Sequence, residues 1–221
     1  MDSYYAERLS AERLRLCYEL APPRVKQYLE AEIAFVLERI QPSDGVLELG
    51  CGYGRVLERL TAKADQVVGI DTSVESIALA RQQLGHSCLL SVMDAVALGF
   101  STGRFDVVLC IQNGISVFRA DQRKLISEAV RVARSGGRVL FSSYADSFWK
   151  DRLRWFRIQA EHGLVGEIDE DATGGGIIVC KDGFRASTVN CKEFTGMVRD
   201  FGLSAKVSVV DDSSIFCDIQ V

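Results

Sequence analysis

A run of apolar residues that ends on an acid and turns at once through three alternate glycines, VLELGCGYGR at 46–55, constrains this chain more than any other stretch. Glycine serves where the backbone must bend tightly and let a ligand lie against it. Gly50, Gly52 and Gly54 therefore predict a ligand-facing turn between a strand and a helix. The chain keeps alternating beyond it: strands are expected at 45–49, 66–70, 87–92 and 105–111, and helices at 54–62, 74–84 and from the Asp121 cap to about 133. A fifth strand at 138–143 is entered through Gly136-Gly137. Strand and helix in strict succession imply a parallel sheet with right-handed crossovers.

Two amphipathic helices come first, at 3–20 and 24–40, separated by the Pro22-Pro23 break. After the fifth strand, about forty residues exceed what the alternating unit requires: an aromatic-rich helix at 147–161 carrying Phe148, Trp149, Trp155 and Phe156, then a hairpin at 176–188 around Lys181-Asp182-Gly183. Trp149 and Trp155 lie six apart, off a common helix face, so at least one should be buried packing. A helix at 190–201 and strands at 205–210 and 215–221 close the sequence.

With 221 residues, 48% of them hydrophobic and 25% charged, the chain suits one globular domain with a full core. Its expected organisation is a helical cover (1–42), a ligand-binding core (43–144), an insert (145–189) and a closing helix and hairpin (190–221). A formal charge of -4, from 26 basic and 30 acidic residues, leaves no electrostatic footprint for nucleic acid. No apolar run reaches the roughly 20 residues of a membrane span, and the first residues lack a signal-peptide core, so a cytoplasmic protein is expected. The seven cysteines are scattered, with no CxxC pair, which speaks against a disulfide framework or a structural zinc. Thiols at Cys17, Cys180, Cys191 and Cys217 would make an arsenite-type site only if the fold brought them together. His86 and His162 stand alone, without partners for base catalysis.

The pattern E-L-G-C-G-Y-G resembles motif I of the class I S-adenosylmethionine-dependent methyltransferases, and VVGID supplies a second acid, Asp71, at the end of the next strand. That resemblance spans residues 46–221 and implies a Rossmann-like, doubly wound, mostly parallel seven-stranded sheet whose last strand is antiparallel. It also implies S-adenosyl-L-methionine as cofactor and S-adenosyl-L-homocysteine as product. Carried over position by position, Gly50, Gly52 and Gly54 would line the methionine part, with Glu48 helping to hold its amino group. Asp71 would accept from both ribose hydroxyls and Asp94 would meet the adenine amine, while Cys51, Thr72, Ala95, Ile111 and Gln112 would complete the cofactor site. Gln112, Asn113, Tyr5 and Tyr18 are the candidates for lining the acceptor side. Tyr4, Cys17, Arg24 and Tyr28 join the two tyrosines of the N-terminal helices as lid candidates; plain helix contact and a homodimer interface are the alternatives.

Methyl transfer by in-line displacement asks the protein mainly for placement, which accounts for the lack of an acid/base constellation. The fourth strand ends in Ile111-Gln112-Asn113-Gly114, not the [DN]PP[YF] of enzymes that methylate adenine or glutamine amines, and no acid follows it to build a catechol-type metal site. A small-molecule acceptor is therefore the expectation. A protein or RNA acceptor, a non-catalytic cofactor-binding module and an NAD-dependent dehydrogenase are the rivals, the last because an acid after the second strand also suits its ribose.

Overall fold

The computed structural model describes residues 4, 8–117 and 121–221. Tyr5, a candidate from the sequence, lies outside them. Helix α1 (Ala11–Glu19) and helix α2 (Pro23–Leu37) precede strand β1 (Gly45–Leu49). The alternating unit follows: α3 (Arg55–Thr61), β2 (Gln66–Asp71), α4 (Val74–Leu84), β3 (Leu89–Val92), β4 (Phe105–Cys110), a single helical turn α5 (Gly114–Val117), α6 (Gln122–Val132) and β5 (Ala133–Tyr144). Then come α7 (Trp149–Glu161), a small hairpin β6 (Ile178–Val179) and β7 (Arg185–Ala186), α8 (Cys191–Arg199), β8 (Ala205–Val210) and β9 (Ser214–Gln220).

Seven strands form one sheet in the order β3-β2-β1-β4-β5-β9-β8. β1 pairs in parallel with both β2 and β4, and every residue of GVLEL is buried, as expected of a strand covered on both faces. β9 runs antiparallel between β5 and β8, so the closing hairpin contributes its second strand to the sheet interior and its first to the edge. Alternate side chains serve opposite faces. Leu47, Leu49, Val108, Val139 and Phe141 pack with α6 and α8 residues Leu125, Ile126, Phe194 and Val198; Val46, Val107, Leu109, Leu140 and Phe216 pack with Ile33 and Val36 of α2 and Leu57 and Leu60 of α3.

A third cluster joins α1, α2, α7 and the small hairpin through Cys17, Val25, Tyr28, Phe148, Trp155, Phe156 and Phe184. Trp155 is the buried tryptophan and Trp149 only half-buried. The turn expected at Gly136-Gly137 proves to lie inside β5, which starts at Ala133 opposite Phe105 and then shifts register. A Cβ on Gly137 would stand 2.9 Å from the Asp106 carbonyl oxygen, so only glycine lets the strand pass there. Cap chemistry read from the sequence holds: Asp121 accepts from the amides of Arg123 and Lys124, and Ser73 from that of Ser76. Among the described residues, no helix is long and apolar enough to cross a membrane.

Candidate active site

The strand order reverses direction between β1 and β4, and in open α/β sheets the crevice beyond the strand ends at that point is where ligands bind. The glycine turn leaves β1 there with Gly50, Gly52 and Gly54 at φ 74, 54 and 93. Gly50 and Cys51 donate their amides to the Ile70 carbonyl at 2.8 and 2.9 Å, and the Gly52 amide donates to Asp71 Oδ2 at 2.9 Å. Ser73 donates its amide to the other oxygen, Oδ1, at 2.8 Å. Asp71 is thereby aligned at the end of β2 against the glycine turn. Burial pushes its pKa up, with the backbone donors pulling the other way.

Beneath the turn, Glu48 is 4% exposed and its Oε2 is buried with no hydrogen-bond partner. Burial lifts its pKa to about 8, the Arg55 guanidinium lowering it and Asp71 raising it. Arg55 opens α3, where the helix dipole disfavours a cation. Its guanidinium lies 4.6 Å from the centre of the Tyr18 ring, with Nε and Nη2 buried and unpartnered. Native proteins rarely leave such atoms unpaired. A carboxylate oxygen and a guanidinium edge, both short of a partner below a glycine turn, match a zwitterion.

The remaining candidates take varied places. Thr72 and Gly50 are exposed at the rim, while Cys51, Ala95 and Ile111 are buried. Burial drives the Cys51 thiol pKa far up, so it is an inert packing group. Asp94 is half-buried and accepts from the Val96 amide at 3.0 Å, closing the turn after β3. Gln112 and Asn113 are consecutive left-handed residues, at φ 57 and 64. Gln112 Nε2 is buried without a partner. The Asn113 amide is committed within the protein: it donates to the Ser187 carbonyl at 3.0 Å and accepts from Ser143 Oγ at 2.8 Å, which pins the insert to β5.

Helix α1 lies directly over the glycine turn. Ala11 donates its amide to Ser76 Oγ at 3.0 Å, Trp155 Nε1 donates to the Cys17 carbonyl at 2.9 Å, and Leu14 Cδ2 stands 3.0 Å from where a Cβ on Gly52 would be. The Tyr18 ring is 6.1 Å from that of Tyr53 and 6.0 Å from that of Trp155. The four thiols of the arsenite-type alternative are dispersed: Cys17 and Cys180 are in the cover's core, Cys217 in the main core and Cys191 exposed on α8. Among the described residues, no three His, Cys, Asp or Glu side chains are grouped to hold a metal.

Two participants escaped the sequence reading. Arg55 had its signal in a cation placed at a helix N-terminus. Glu32 of α2 had one too, since it falls on the apolar stripe of Val25, Leu29, Ile33 and Val36; it is wholly buried, accepts from Gln112 N and from the hydroxyls of Ser142 and Ser214, and has its pKa lifted by burial to about 7.

Residues 46–137 match the family described as a methyltransferase domain. Over those residues the chain carries a methyltransferase domain. The methyltransferase domain and its flanking elements superpose on the DhpI–SAM–HEP complex with a TM-score of 0.66 at 20% identity, covering 99% of this chain and 95% of the other. A SAM-dependent methyltransferase from Methanosarcina mazei gives 0.63 at 20% identity over 84% and 96% of the two chains. Among curated proteins, the 2-methyl-6-phytyl-1,4-hydroquinone methyltransferase of Synechocystis sp. is 30% identical over 67% of this chain and 52% of its own length. The chain spans about half or less of the curated relatives it matches.

Proposed function

We propose that this domain transfers a methyl group from S-adenosyl-L-methionine to a small-molecule acceptor by in-line displacement. The observation that carries the reading is the pair of buried, unpartnered groups under the glycine turn, Glu48 Oε2 and the Arg55 guanidinium edge. They suit the ammonium and carboxylate of an amino acid, a feature that NAD lacks. In this reading Asp71 accepts from both ribose hydroxyls, Asp94 receives the adenine amine on the oxygen not used by Val96, and Cys51, Thr72, Ala95, Ile111 and Gln112 form the walls. The sulfonium supplies a methyl that is intrinsically transferable. The protein's part is alignment and exclusion of water, and α1 with the aromatic insert furnishes a cover for both.

The aromatic-rich core that packs α1 and α2 against the insert beside the glycine turn supports a small acceptor over a protein or RNA, and a hydroquinone methyltransferase among the relatives points the same way. We assign residues 1–42 to the cover, 43–144 to the cofactor core, 145–189 to the acceptor-side insert and 190–221 to closure of the sheet. Seven free cysteines suit the reducing cytoplasm.

The test is titration calorimetry with S-adenosylhomocysteine and, separately, NAD. Binding of the former, weakened at least about tenfold by Asp71→Ala through loss of a charged hydrogen-bond partner, is the expected result. Affinity for NAD alone, or an Asp71→Ala variant that binds S-adenosylhomocysteine undiminished, would overturn it.

A further inference from the structure

Glu32 sits on the apolar face of a cover helix, between Leu29, Ile33 and Val36, where a hydrocarbon side chain would satisfy packing. Burying a carboxylate instead is costly unless hydrogen bonds compensate. The compensation is concentrated at one end of three neighbouring strands in the sheet interior. Oε2 accepts from the Gln112 amide at 2.7 Å and from Ser142 Oγ at 2.8 Å, and Oε1 accepts from Ser214 Oγ at 2.6 Å. These donors come from the exit of β4, from β5 and from β9. Ser142 also accepts from the Gln112 amide at 2.8 Å, so that single N–H is held from two sides.

The peptide held in this way is the one that needs holding. Gln112 and Asn113 both occupy the left-handed region, which side chains with a Cβ disfavour, and such residues persist only where their surroundings impose them. Asn113 is imposed by Ser143 and Ser187, and Gln112 by Glu32 and Ser142. The turn then delivers Gln112 Nε2, buried and with no protein partner, to the end of β4.

We propose that Glu32 is a positioning residue: its carboxylate, reaching across from the N-terminal cover, locks the left-handed Gln112 peptide and so fixes the wall where the β4 exit meets cofactor and acceptor. The inference rests on the functional reading above for what that wall contacts, and on the hydrogen bonds alone for what holds it. It makes the N-terminal helices part of the site's construction as well as its roof.

The experiment compares the full chain with Glu32→Gln, Glu32→Ala and, as a control for general loosening of α2, Ile33→Ala. S-adenosylhomocysteine affinity is measured by calorimetry, and amide hydrogen exchange is followed in peptides spanning 110–117. Glu32→Gln keeps an acceptor for the Gln112 amide and turns its NH2 to Ser214 Oγ, which can rotate to accept. It should therefore stay within about threefold of wild type, whereas Glu32→Ala should lose about tenfold or more and expose 110–117 to exchange, the size expected for one lost hydrogen bond to a charged group. Ile33→Ala should lower the melting temperature yet leave affinity and exchange in 110–117 near wild type. Should Glu32→Ala not fold, Ser142→Ala, which removes the other acceptor of the same N–H, takes its place with the same expectation. The proposal is overturned if the alanine variant binds and protects 110–117 as wild type does, if Glu32→Gln fails as badly as alanine, or if Ile33→Ala matches their loss. Wild-type protein that does not bind S-adenosylhomocysteine would sink the functional reading instead, and exchange in 110–117 would still decide the role of Glu32.

Discussion

Glu48 carries a pH dependence whose sign follows from its surroundings. Burial raises its pKa from the ordinary carboxylate range to about 8, so the folded protein holds a proton there that the unfolded chain releases. Folding stability must then fall as pH rises from about 4.5 to about 8 and level off above that. Glu32, lifted to about 7, adds to the same slope. We expect Glu48→Gln to flatten the decline of melting temperature between pH 5 and pH 8, and an unchanged slope would show that Glu48 is not the group that titrates. A bound ammonium would favour the carboxylate, so S-adenosylhomocysteine should release protons on binding at pH 7. Calorimetry in buffers of different ionisation heat would show that release in wild type and its loss in Glu48→Gln.

At the scale of elements, the contact between α1 and the glycine turn is the one to test. A Cβ at position 52 meets both the left-handed φ of 54 and Leu14 Cδ2 at 3.0 Å. Gly52→Ala should cost about 1–3 kcal/mol from the backbone alone. Combined with Leu14→Ala it should cost less than the sum of the two single changes, because the crowded atom is gone. Additive costs, measured by denaturant unfolding, would remove α1 from the turn. The elements themselves were largely legible, since apolar runs between glycine or aspartate boundaries carry strand and helix periods that local physics respects. Less legible were the places where distant backbone decides. Nothing in Gln112-Asn113 announces two left-handed residues, which ended β4 at Cys110 and started a short helix at Gly114 that the sequence reading lacks. Gly136-Gly137 looked like a turn because the close approach of Asp106 is a property of the sheet. For the candidate site, the meeting of the glycine turn with Asp71 at the strand ends could be read from their order along the chain. Arg55 and Glu32 emerged only once burial showed what each lacked or held.

Across the whole molecule, Asp218 ties three parts of the fold together. On β9, 8% exposed, it accepts from Arg39 Nε, just beyond α2, at 3.2 Å and from Arg138 Nη1 of β5 at 2.6 Å. Asp218→Asn should cost about 2 kcal/mol, because it removes a charge-assisted hydrogen bond and leaves two guanidinium groups facing a neutral amide. Guanidinium denaturation is the measurement, and a change under about 0.5 kcal/mol, the ordinary scatter of surface substitutions, would mean that the cluster is ornamental. The position of β9 has a further consequence for assembly. Among the described strands it comes last in sequence, yet it lies inside the sheet, and β8 is joined to the rest only through it. Without β9, the border of β5 along Val139, Leu140 and Phe141 would be unpaired, and Glu32 would lack the Ser214 hydroxyl. One strand therefore seals the seam beside the crevice and also supplies a donor to the buried carboxylate, so loosening β9 would disturb both at once.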